Sequence, residues 1–498
     1  MMKHCLLFLG LVLVGCTTPA PQTQQTEIIS VNDGDTITLN PTIVTKTING
    51  KTFDMYGYNG QIPGPMIKAP QGASITVNVQ NTIDDDTTIH WHGLRHNNSD
   101  DGVPNLTQDP IKPGGTHAYT VHFPDEGIYW YHPHVREDIQ QDMGLYGNLF
   151  VTPSDSNVYD PVNHEEVLVL DDLFLDRDGI NVPYGDRDPN FALMGRFGNE
   201  MLINGEPAEE YNLTVKRGEV VRFYLTNVAN TRTFNMRIDG GAMKLVGSDL
   251  GRYEQDAWVD TVTIAPAERY IVEVLFEDDG KYMLTHETPY HTYPMGRVTV
   301  TPEDADPSYE KQFMTLSQHE DIIQDIDAYR QYFDKPVDKT LVLDIALDGH
   351  MAMMHQGMEM MHTDSTGIEW EDAMPMMNHM MASEDFQWKL VDKDTGKENM
   401  DLDWSFKQNN VVKIRIINKK ESGHPMHHPI HFHGQRFLVL SDNGVPNENL
   451  VWKDTVLVPI GHTVDLLFDM SNPGDWMMHC HIAEHLSNGM MGIFHVTK

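Results

Sequence analysis

The chain has 498 residues, a length typical of about three domains, and its hydrophobic content of 40% is ordinary for a globular protein. Its 35 Lys and Arg residues stand against 73 Asp and Glu residues, which gives a formal net charge of -38. Such a surface repels nucleic acid and offers no basic face to anionic lipid, so neither is an expected partner. An acidic surface also concentrates metal cations, although solubility or a salty habitat explains the same composition.

The first residues resemble a bacterial lipoprotein signal. Lys3 precedes an apolar run at 6–14 that is too short to span a bilayer, and Cys16 closes the processing box Leu13-Val14-Gly15-Cys16. We expect residues 1–16 to form the signal peptide, Cys16 to carry lipid, and residues 17–27 to form a flexible tether. The protein would then be an exported lipoprotein that faces the periplasm or lies at the cell surface. A plain secretory signal cut at another position is the alternative.

Three related groups of strands follow along the chain. Each group begins with an alternating strand that ends in asparagine, continues with a second matching strand, and later has a closing strand. The members are 72–81, 89–93 and 127–132 in the first group, 217–227, 234–240 and 280–285 in the second, and 408–418, 430–434 and 474–479 in the third. Short strands between Gly, Pro, Asn and Asp turns, without long helical periodicity outside 318–334, predict an all-β fold of three consecutive Greek-key β-sandwiches. We place these domains at 28–155, 156–303 and 304–498.

Histidine pairs of the form HxH recur at equivalent places in the first and third groups. Alternate residues of a strand point to one face, so each pair brings two imidazoles to the spacing that a metal cluster needs. The pairs are His90/His92, His132/His134, His431/His433 and His479/His481. The middle group has Asn235, Arg237 and Thr285 instead, so we expect it to act as a spacer without metal. His286 and His291 lie nearby but out of register, and we interpret them as structural or surface histidines. The eight paired histidines can converge only if the outer sandwiches pack together.

A thiol lies between the last two paired histidines. Cys480, followed by His485 and Met490, offers thiolate, imidazole and thioether, the soft ligands of a blue-copper electron-transfer site. Strand neighbours point to opposite faces, so Cys480 would serve one metal centre while His479 and His481 serve another. Cys480 is also the one thiol left to the folded protein if Cys5 and Cys16 belong to the leader and the lipid attachment, so no disulfide is expected.

The motifs HWHG, YHPH, HPIHFHG and HCHIAEHLSNGM, in this order over nearly the whole mature chain, resemble the multicopper oxidase family. The resemblance is to three-domain bacterial laccase-like enzymes and copper-tolerance cuprous oxidases. It implies cupredoxin-like domains, four copper ions and dioxygen as the electron acceptor. The type-1 copper would take His428, Cys480, His485 and the axial Met490, and the type-2 copper would take His90 and His431. Of the two type-3 coppers, one would take His92, His132 and His481, and the other would take His134, His433 and His479.

Three residues are candidates for catalytic roles. Cys480 would help to hold the type-1 copper, which takes electrons from the substrate, and two acidic residues, Asp101 and Glu484, are candidates for proton delivery. Asp101 follows HWHG and matches a carboxylate that helps to deliver protons in similar enzymes, whereas a turn aspartate is the plain alternative. Some family members carry a second carboxylate directly after the histidine that corresponds to His485. This chain has Leu486 there, and Glu484 is the nearest substitute.

An insert at 350–381, before the third group of strands, is rich in methionine and histidine. Thioether prefers Cu(I), so the insert predicts handling of cuprous ions, with core packing as the alternative. The candidate ligands for substrate Cu(I) within it are Met351, Met353, Met354, Met358, Met360 and Met361. Met426 and His424, shortly before His428, are further candidates. Some similar cuprous oxidases carry a carboxylate where this chain has His424.

These features predict an enzyme that couples one-electron oxidation of Cu(I), as copper detoxification, to four-electron reduction of dioxygen to water. A laccase that oxidises phenols is the alternative within this class. A non-catalytic periplasmic protein that sequesters copper is the alternative from another class, although sequestration alone would not require Cys480 and eight paired histidines. We expect a monomer whose partners are dioxygen and Cu(I) or phenolic small molecules, with membrane contact through its lipid alone.

Overall fold

The computed structural model describes residues 26–155, 157–176, 191–347, 365–375, 378 and 386–498. Predictions for the signal peptide, for Cys16 and for most of the tether lie outside these residues. The candidate methionines at 351–361 also lie outside them. Within the described part of the chain, no helix combines the length and apolarity that crossing a membrane requires.

The first sandwich contains one sheet of strand order β1-β5-β10-β9-β7, a second of order β2-β6-β8, and the hairpin β3-β4. Its strands alternate where one face is solvated; in Ser74–Gln80, for example, Ile75, Val77 and Val79 are buried. The strands are β1 (Ile28–Ser30), β2 (Thr36–Thr38), β3 (Pro41–Ile48), β4 (Lys51–Tyr58), β5 (Gly64–Pro70), β6 (Ser74–Gln80), β7 (His90–His92), β8 (Thr116–His122), β9 (Gly127–His132) and β10 (Gly147–Thr152). Helix α1 (Glu137–Gln140) and a 3-10 turn (Asn98–Asp100) lie in its loops.

The second sandwich packs a sheet of order β13-β12-β11-β15-β20-β17-β18 against one of order β14-β22-β21-β16-β19. Strand β15 is buried along its whole length, because one face packs in this sandwich and Tyr224 packs against Ile128 of the first. The strands are β11 (His164–Leu173), β12 (Glu200–Ile203), β13 (Glu206–Pro207), β14 (Asn212–Arg217), β15 (Val220–Asn227), β16 (Phe234–Ile238), β17 (Ala242–Ser248), β18 (Gly251–Val259), β19 (Val262–Ile264), β20 (Arg269–Leu275), β21 (Gly280–Glu287) and β22 (Thr292–Asp304). A 3-10 turn spans Ala208–Glu210.

The third sandwich pairs a sheet of order β24-β23-β26-β32-β28-β29, with β30 on β28, and one of order β25-β34-β33-β27-β31. The strands are β23 (Lys339–Leu347), β24 (Phe386–Asp392), β25 (Trp404–Lys407), β26 (Asn410–Asn418), β27 (His428–Phe432), β28 (Arg436–Asp442), β29 (Val445–Pro446), β30 (Trp452–Lys453), β31 (Thr455–Val458), β32 (Thr463–Met470), β33 (Gly474–Cys480) and β34 (Met491–Thr497). Helix α4 (Ala483–Ser487) and a 3-10 turn (Asn399–Asp401) complete it. The all-β prediction of three consecutive sandwiches is confirmed; the exact domain limits stay predictions.

The three groups of strands found in the sequence are equivalent in structure. Strands β6, β15 and β26 begin each copy, and the pairs β7·β9, β16·β21 and β27·β33 are antiparallel neighbours. The asparagine at the end of each first strand fixes the same local turn. Asn81, Asn227 and Asn418 each donate two side-chain hydrogen bonds to main-chain carbonyl groups. The shared asparagine is therefore a structural element of the repeat.

The first and third sandwiches pack together, as convergence of the histidine pairs requires. One buried apolar cluster contains Trp91 and Tyr119 from the first sandwich with Leu438 and Trp452 from the third. The connection from the second sandwich carries α2 (Glu310–Phe313) and α3 (Glu320–Arg330), and α3 lies inside the segment at 318–334 where the sequence shows helical periodicity. Ile326 of α3 is fully buried in the same cluster, so the connecting helix helps to hold the outer sandwiches together.

Candidate metal centres

One candidate centre lies inside the third sandwich, at one end of the sheet that contains β27 and β33. His428 begins β27, Cys480 ends β33, and His485 lies in α4 five residues later. The Cys480 Sγ atom lies 3.5 Å from His428 Nδ1 and 3.7 Å from His485 Nδ1, and the two nitrogen atoms are 3.3 Å apart. Three soft donor atoms thus face one point, which fits the predicted blue-copper ligand set.

The shell around this centre is closed and largely apolar. Cys480, His485 and Met490 are fully buried, and the Met490 main chain is hydrogen-bonded to both Cys480 (3.1 Å) and His485 (3.0 Å). The Trp388 ring lies 4.2 Å from the His485 ring. Leu193 O accepts a hydrogen bond from His485 Nε2 (3.3 Å), which directs Nδ1 toward the thiol. This fixed geometry suits a centre that exchanges electrons without rearranging.

Burial sets the protonation of these ligands. Desolvation raises the pKa of the Cys480 thiol and lowers the pKa of His428 and His485 well below the usual range of histidine. The imidazoles are therefore neutral and able to donate a lone pair. A metal bound by Cys480 has to displace the thiol proton, so its binding releases a proton.

A second candidate centre lies between the first and third sandwiches and collects all eight paired histidines. Strand register places His90 opposite His132 and His431 opposite His479. Across the interface, the His92 and His431 rings stack with centroids 3.7 Å apart, and the His90 and His433 rings with centroids 4.0 Å apart. The rings converge on one buried pocket, as predicted.

The free nitrogen atoms in this pocket fit metal ions. Six of the eight rings each have one buried nitrogen that lacks a hydrogen-bond partner among the described residues: His90 Nε2, His92 Nδ1, His132 Nε2, His134 Nε2, His431 Nε2 and His481 Nε2. The remaining two, His433 Nε2 and His479 Nε2, lie 3.1 Å apart. Buried polar atoms normally find partners, so this set of unpaired lone pairs indicates that imidazole-binding metals complete the pocket.

The outward nitrogen atoms of the same rings are held by the protein. Main-chain oxygen atoms accept from His90, His132, His431 and His479 at 2.8–2.9 Å. Glu137 lies 2.6 Å from His134 Nδ1. Such contacts fix the ring tautomer and direct the other nitrogen inward.

The donor atoms form several possible triads, each within 4.8 Å. They are His90, His92 and His132; His90, His431 and His433; His134, His433 and His479; and His92, His431 and Asp454. The third of these is one predicted type-3 set. The division of the other histidines among particular coppers stays a prediction.

Asp101 reaches this pocket from the loop after β7. Its Oδ2 atom accepts from His433 Nδ1 at 2.9 Å, its main-chain oxygen accepts from His90 Nδ1 at 2.8 Å, and its side chain is fully buried. The residue therefore orients one histidine from each outer sandwich, which is more than a turn aspartate does. His96, which the sequence does not mark, is buried with Nε2 3.8 Å from Asp101 Oδ1. The proton role of Asp101 stays a prediction.

Glu484 lies on the side of α4 that faces the second sandwich. Its carboxylate is 3.4 Å from both Asn230 Nδ2 and Thr231 Oγ1, and 3.8 Å from Arg196. Burial raises its pKa to about 8. A proton is thus held there near neutral pH, and delivery from Glu484 to the histidine pocket stays a prediction.

The second sandwich contributes a buried ion pair to the edge of the histidine pocket. Arg269, the first residue of β20, donates to both carboxylate oxygens of Asp454, at 2.7 and 2.6 Å. Asp454 Oδ1 also accepts from His92 Nε2 at 3.0 Å. Because both oxygens are engaged by donors, Asp454 acts as a hydrogen-bond acceptor beside the pocket rather than as a free metal ligand.

In the middle repeat, other side chains take the places of the paired histidines. Arg237 of β16 lies opposite Thr285 of β21. His286 Nδ1 accepts from the Asn235 main chain at 2.9 Å, and burial lowers its pKa to about 3. His291 is exposed and lies 2.8 Å from Glu371. These contacts agree with a structural role for His286 and a surface position for His291.

Soft side chains lie beside the donor centre. His424 is fully buried, and its Nε2 atom is 2.9 Å from the Sδ atom of Met194. Met194 belongs to a segment of the second sandwich that the sequence does not mark as functional. Met426 is fully buried in the core of the third sandwich, and Met374, near the end of the insert, packs on the same core.

Several residues at the two centres were not found from sequence: Glu137, Met194, Arg269, Trp388 and Asp454. None of them belongs to a repeated or metal-binding pattern. Each acquires its place through contacts between sandwiches or between distant strands, which a single sequence does not record.

The fold and the two centres define a copper protein of three cupredoxin-like sandwiches. Three family models, each described as multicopper oxidase, match residues 27–156, 166–301 and 370–498 and together cover most of the chain. The chain belongs to the multicopper oxidase family. It is therefore an oxidoreductase, and the family implies copper cofactors and dioxygen as acceptor.

Known relatives are similar over nearly their whole length. "Multicopper oxidase mco" of Staphylococcus aureus is 25% identical, over 91% of this chain and 86% of the relative. "Laccase-2" of Fomitopsis schrenkii is 26% identical, over 91% of this chain and 88% of the relative. The solved structure of a multicopper oxidase from Campylobacter jejuni, described as a metallo-oxidase, has a TM-score of 0.70 and 24% identity, and covers 95% of this chain and 96% of its own. This structural likeness confirms the fold.

Proposed function

We propose that this multicopper oxidase oxidises Cu(I) and thereby detoxifies copper. The observation that carries the proposal is the contact of His424 Nε2 with Met194 Sδ, 2.9 Å apart and buried beside the donor centre. His424 lies four residues before His428. Imidazole and thioether together suit a soft cuprous ion, and the methionine-rich insert at 350–381 would collect such ions from solution.

The residues packed over the donor centre favour a small substrate over a bulky one. Asn378, fully buried, accepts from the Met194 main chain at 3.0 Å, and it donates to Gly195 O at 2.8 Å and to Asp372 at 2.9 Å. The end of the insert is thereby fastened to the segment that touches His485 through Leu193. A bulky phenol would have to displace this packed layer, whereas a metal ion only needs ligands in it.

We propose that the histidines, Cys480 and Met490 hold four coppers in the sets that the family resemblance implies. When bound, these ions supply one-electron uptake from the substrate and four-electron reduction of dioxygen to water. Cys480 connects the centres because its thiol faces the donor site while its neighbours His479 and His481 face the histidine pocket. Asp101 orients His90 and His433 and is proposed to deliver protons.

We also propose that the protein is an exported lipoprotein with lipid on Cys16, acting as a monomer. The signal-like sequence at 1–16 supports this location. An enzyme outside the cytoplasm would meet incoming copper ions before they enter the cell. Digestion and mass spectrometry of the N-terminal peptide from native membranes tests the lipid on Cys16.

A laccase acting on phenols is the second candidate. The similarity to "Laccase-2" of Fomitopsis schrenkii favours it. Copper sequestration without catalysis is the least supported function, because the members of this family are oxidases.

Oxygen uptake distinguishes these functions. Steady-state dioxygen consumption of the copper-loaded soluble protein is measured with Cu(I) and with a phenol, and Cys480→Ser is the blank. The cuprous function predicts faster uptake with Cu(I). Faster uptake with the phenol would support a laccase, and copper binding without uptake would support sequestration.

Two variants test the proposed route for Cu(I). Met194→Leu keeps the volume of the side chain but removes its thioether, so we expect slower Cu(I) oxidation at unchanged phenol oxidation. Met201→Leu in the core of the second sandwich is the matched control. Deletion of 350–381 should raise phenol oxidation relative to Cu(I) oxidation. Unchanged rates in Met194→Leu and in the deletion would remove both features from the proposal.

A further inference from the structure

The second sandwich, which lacks the paired histidines, reaches the edge of the histidine pocket through Arg269. Arg269 is fully buried, and its guanidinium binds Asp454 with two hydrogen bonds of 2.7 and 2.6 Å. Its Nε and Nη1 atoms also donate to the main-chain oxygens of Ile128 and Ala267, at 2.8 and 3.0 Å. Two main-chain oxygens thus hold the guanidinium in addition to the carboxylate.

Asp454 in turn accepts hydrogen bonds from two of the paired histidines, one from each outer sandwich. Its Oδ1 atom accepts from His92 Nε2 at 3.0 Å, and its main-chain oxygen accepts from His431 Nδ1 at 2.9 Å. Thr455 Oγ1 donates to the same Oδ1 at 2.8 Å. With their outward nitrogens occupied, His92 turns Nδ1 and His431 turns Nε2 toward the pocket, and these are two of the unpartnered atoms there.

The ion pair of Arg269 and Asp454 leaves no room for a side chain at the glycine of HWHG. Gly93 has a φ of +85°, and a Cβ atom on it would collide with Asp454 Oδ2 and lie 2.9 Å from Arg269 Nη2. In the third sandwich, the equivalent Gly434 faces Trp476 instead. The motif in the first sandwich therefore leaves space for a contact with the second sandwich.

We propose that Arg269 is a positioning residue for the histidine pocket, so that the second sandwich controls metal binding there without holding a metal. This inference rests on the proposed copper sites. Loss of a partner that orients a ligand typically lowers metal affinity about 10–100-fold. Arg269→Lys keeps the charge but loses the two-pronged contact, so it should weaken retention at the pocket and spare the donor centre.

Copper retention tests the proposal. Wild type and Arg269→Lys are loaded with copper, titrated with a chelator, and followed by copper per chain, by the type-2 signal in electron paramagnetic resonance and by the blue absorption of the donor centre. We expect Arg269→Lys to lose the type-2 signal at about 10–100-fold lower chelator concentration, with the blue absorption unchanged.

Arg222→Lys is the matched control. Arg222 is also a buried arginine of the second sandwich and donates to Glu273 at 3.0 Å, away from the histidines. This variant should lose thermal stability while keeping the wild-type type-2 signal. Equal retention of that signal in Arg269→Lys and wild type, or equal loss in both lysine variants, would overturn the inference.

Two further outcomes are separated by the same experiment. If Arg269→Lys does not fold, Asp454→Asn breaks the same pair from the other side, and it should show the same selective loss; retention equal to wild type would overturn the inference. A wild-type protein that binds fewer than four coppers and lacks a type-2 signal would overturn the proposed copper sites and this inference together. A wild type with four coppers and an insensitive Arg269→Lys would overturn this inference alone.

Discussion

Glu369 is a buried acid whose ionisation opposes folding. Its Oε2 atom has no hydrogen-bond partner among the described residues, and His427 Nδ1 lies 3.9 Å away. Burial, followed by the negative charge of Asp372, raises its pKa to about 8. Because the pKa of Glu369 is higher in the folded than in the unfolded protein, protonation of this side chain stabilises the fold. This stabilisation is fully present below about pH 4.5 and is lost as the pH rises through about 8.

Glu369→Gln should therefore stabilise the copper-free protein in alkali. We expect little change in the free energy of unfolding at pH 4.5 and a gain on the order of 3 kcal/mol at pH 8.5. Denaturant unfolding at both pH values measures it. Glu371→Gln is the control of opposite sign, because hydrogen bonds from His291 and Tyr293 outweigh burial and lower the Glu371 pKa. A gain that does not depend on pH would contradict the assignment.

Met490 is the predicted axial ligand of the donor centre. Its main chain is hydrogen-bonded to Cys480 and His485, which places it beside both ligands. Met490→Leu should keep the blue absorption and raise the reduction potential, since the weak thioether donor that stabilises oxidised copper is lost. A redox titration followed by the blue absorption measures the shift. Met478→Leu, in the same buried core, should leave the potential unchanged.

At the residue scale, the sequence predicted every histidine that converges on the pocket, because HxH pairs and the cysteine carry their chemistry in their spacing. It did not predict Met194 beside His424 or Glu137 beside His134. These partners become neighbours only when separate loops and sandwiches meet. Leu486 shows the same limit: its sequence position predicts a missing carboxylate but does not say where a proton would come from instead.

At the scale of elements, strand identity was predictable wherever a repeat or an alternating pattern was present. Strands β6, β15 and β26 were found from their shared asparagine and alternation, and α3 lies in the segment with helical periodicity. The segment at 191–199 was not anticipated, because it forms no regular element that a pattern would mark. It covers the donor centre through contacts of single residues with β24, α4 and Asn378.

The turn after β7 gives a prediction at this scale. Gly93→Ala places a Cβ atom against the pair of Asp454 and Arg269, and it also strains a backbone at φ +85°. We expect a loss of about 2–4 kcal/mol in the free energy of unfolding, together with weaker copper retention. Gly60→Ala, at φ +79° with open space around it, carries the backbone strain alone. Equal losses in the two variants, measured by denaturant unfolding, would show that the ion pair tolerates the methyl group.

At the scale of the whole molecule, the packing of the outer sandwiches follows from the histidine pairs, since ligands from both have to converge. The sequence did not show that the second sandwich takes part through Arg269, because its missing histidines predicted only a spacer. The net charge of -38 predicts that nucleic acid is not a partner, and it carries no information on how the sandwiches dock.

Copper should stabilise the assembled molecule, because the pocket exists only when the first and third sandwiches are docked. Ligands that bind only the folded state add about 2.7 kcal/mol at a concentration 100 times the dissociation constant. Calorimetry of loaded and copper-stripped protein should therefore show a lower melting temperature after stripping. In the stripped form, hydrogen exchange should increase in β7 and β27, which carry ligands across the interface. Identical melting curves would contradict coupling of metal binding to docking.

Some candidate ligands are neighbours along the chain, whereas others become neighbours only when the first and third sandwiches dock, and this difference determines how the protein would lose activity. Cys480 and its flanking histidines are joined by peptide bonds, so no motion of one sandwich against another can lengthen that step. The other half of the pocket depends on surfaces that can separate. A molecule whose outer sandwiches have separated would thus still take electrons from substrate at the donor centre but could not pass them to dioxygen. Its blue colour would be lost on reduction and would not return in air.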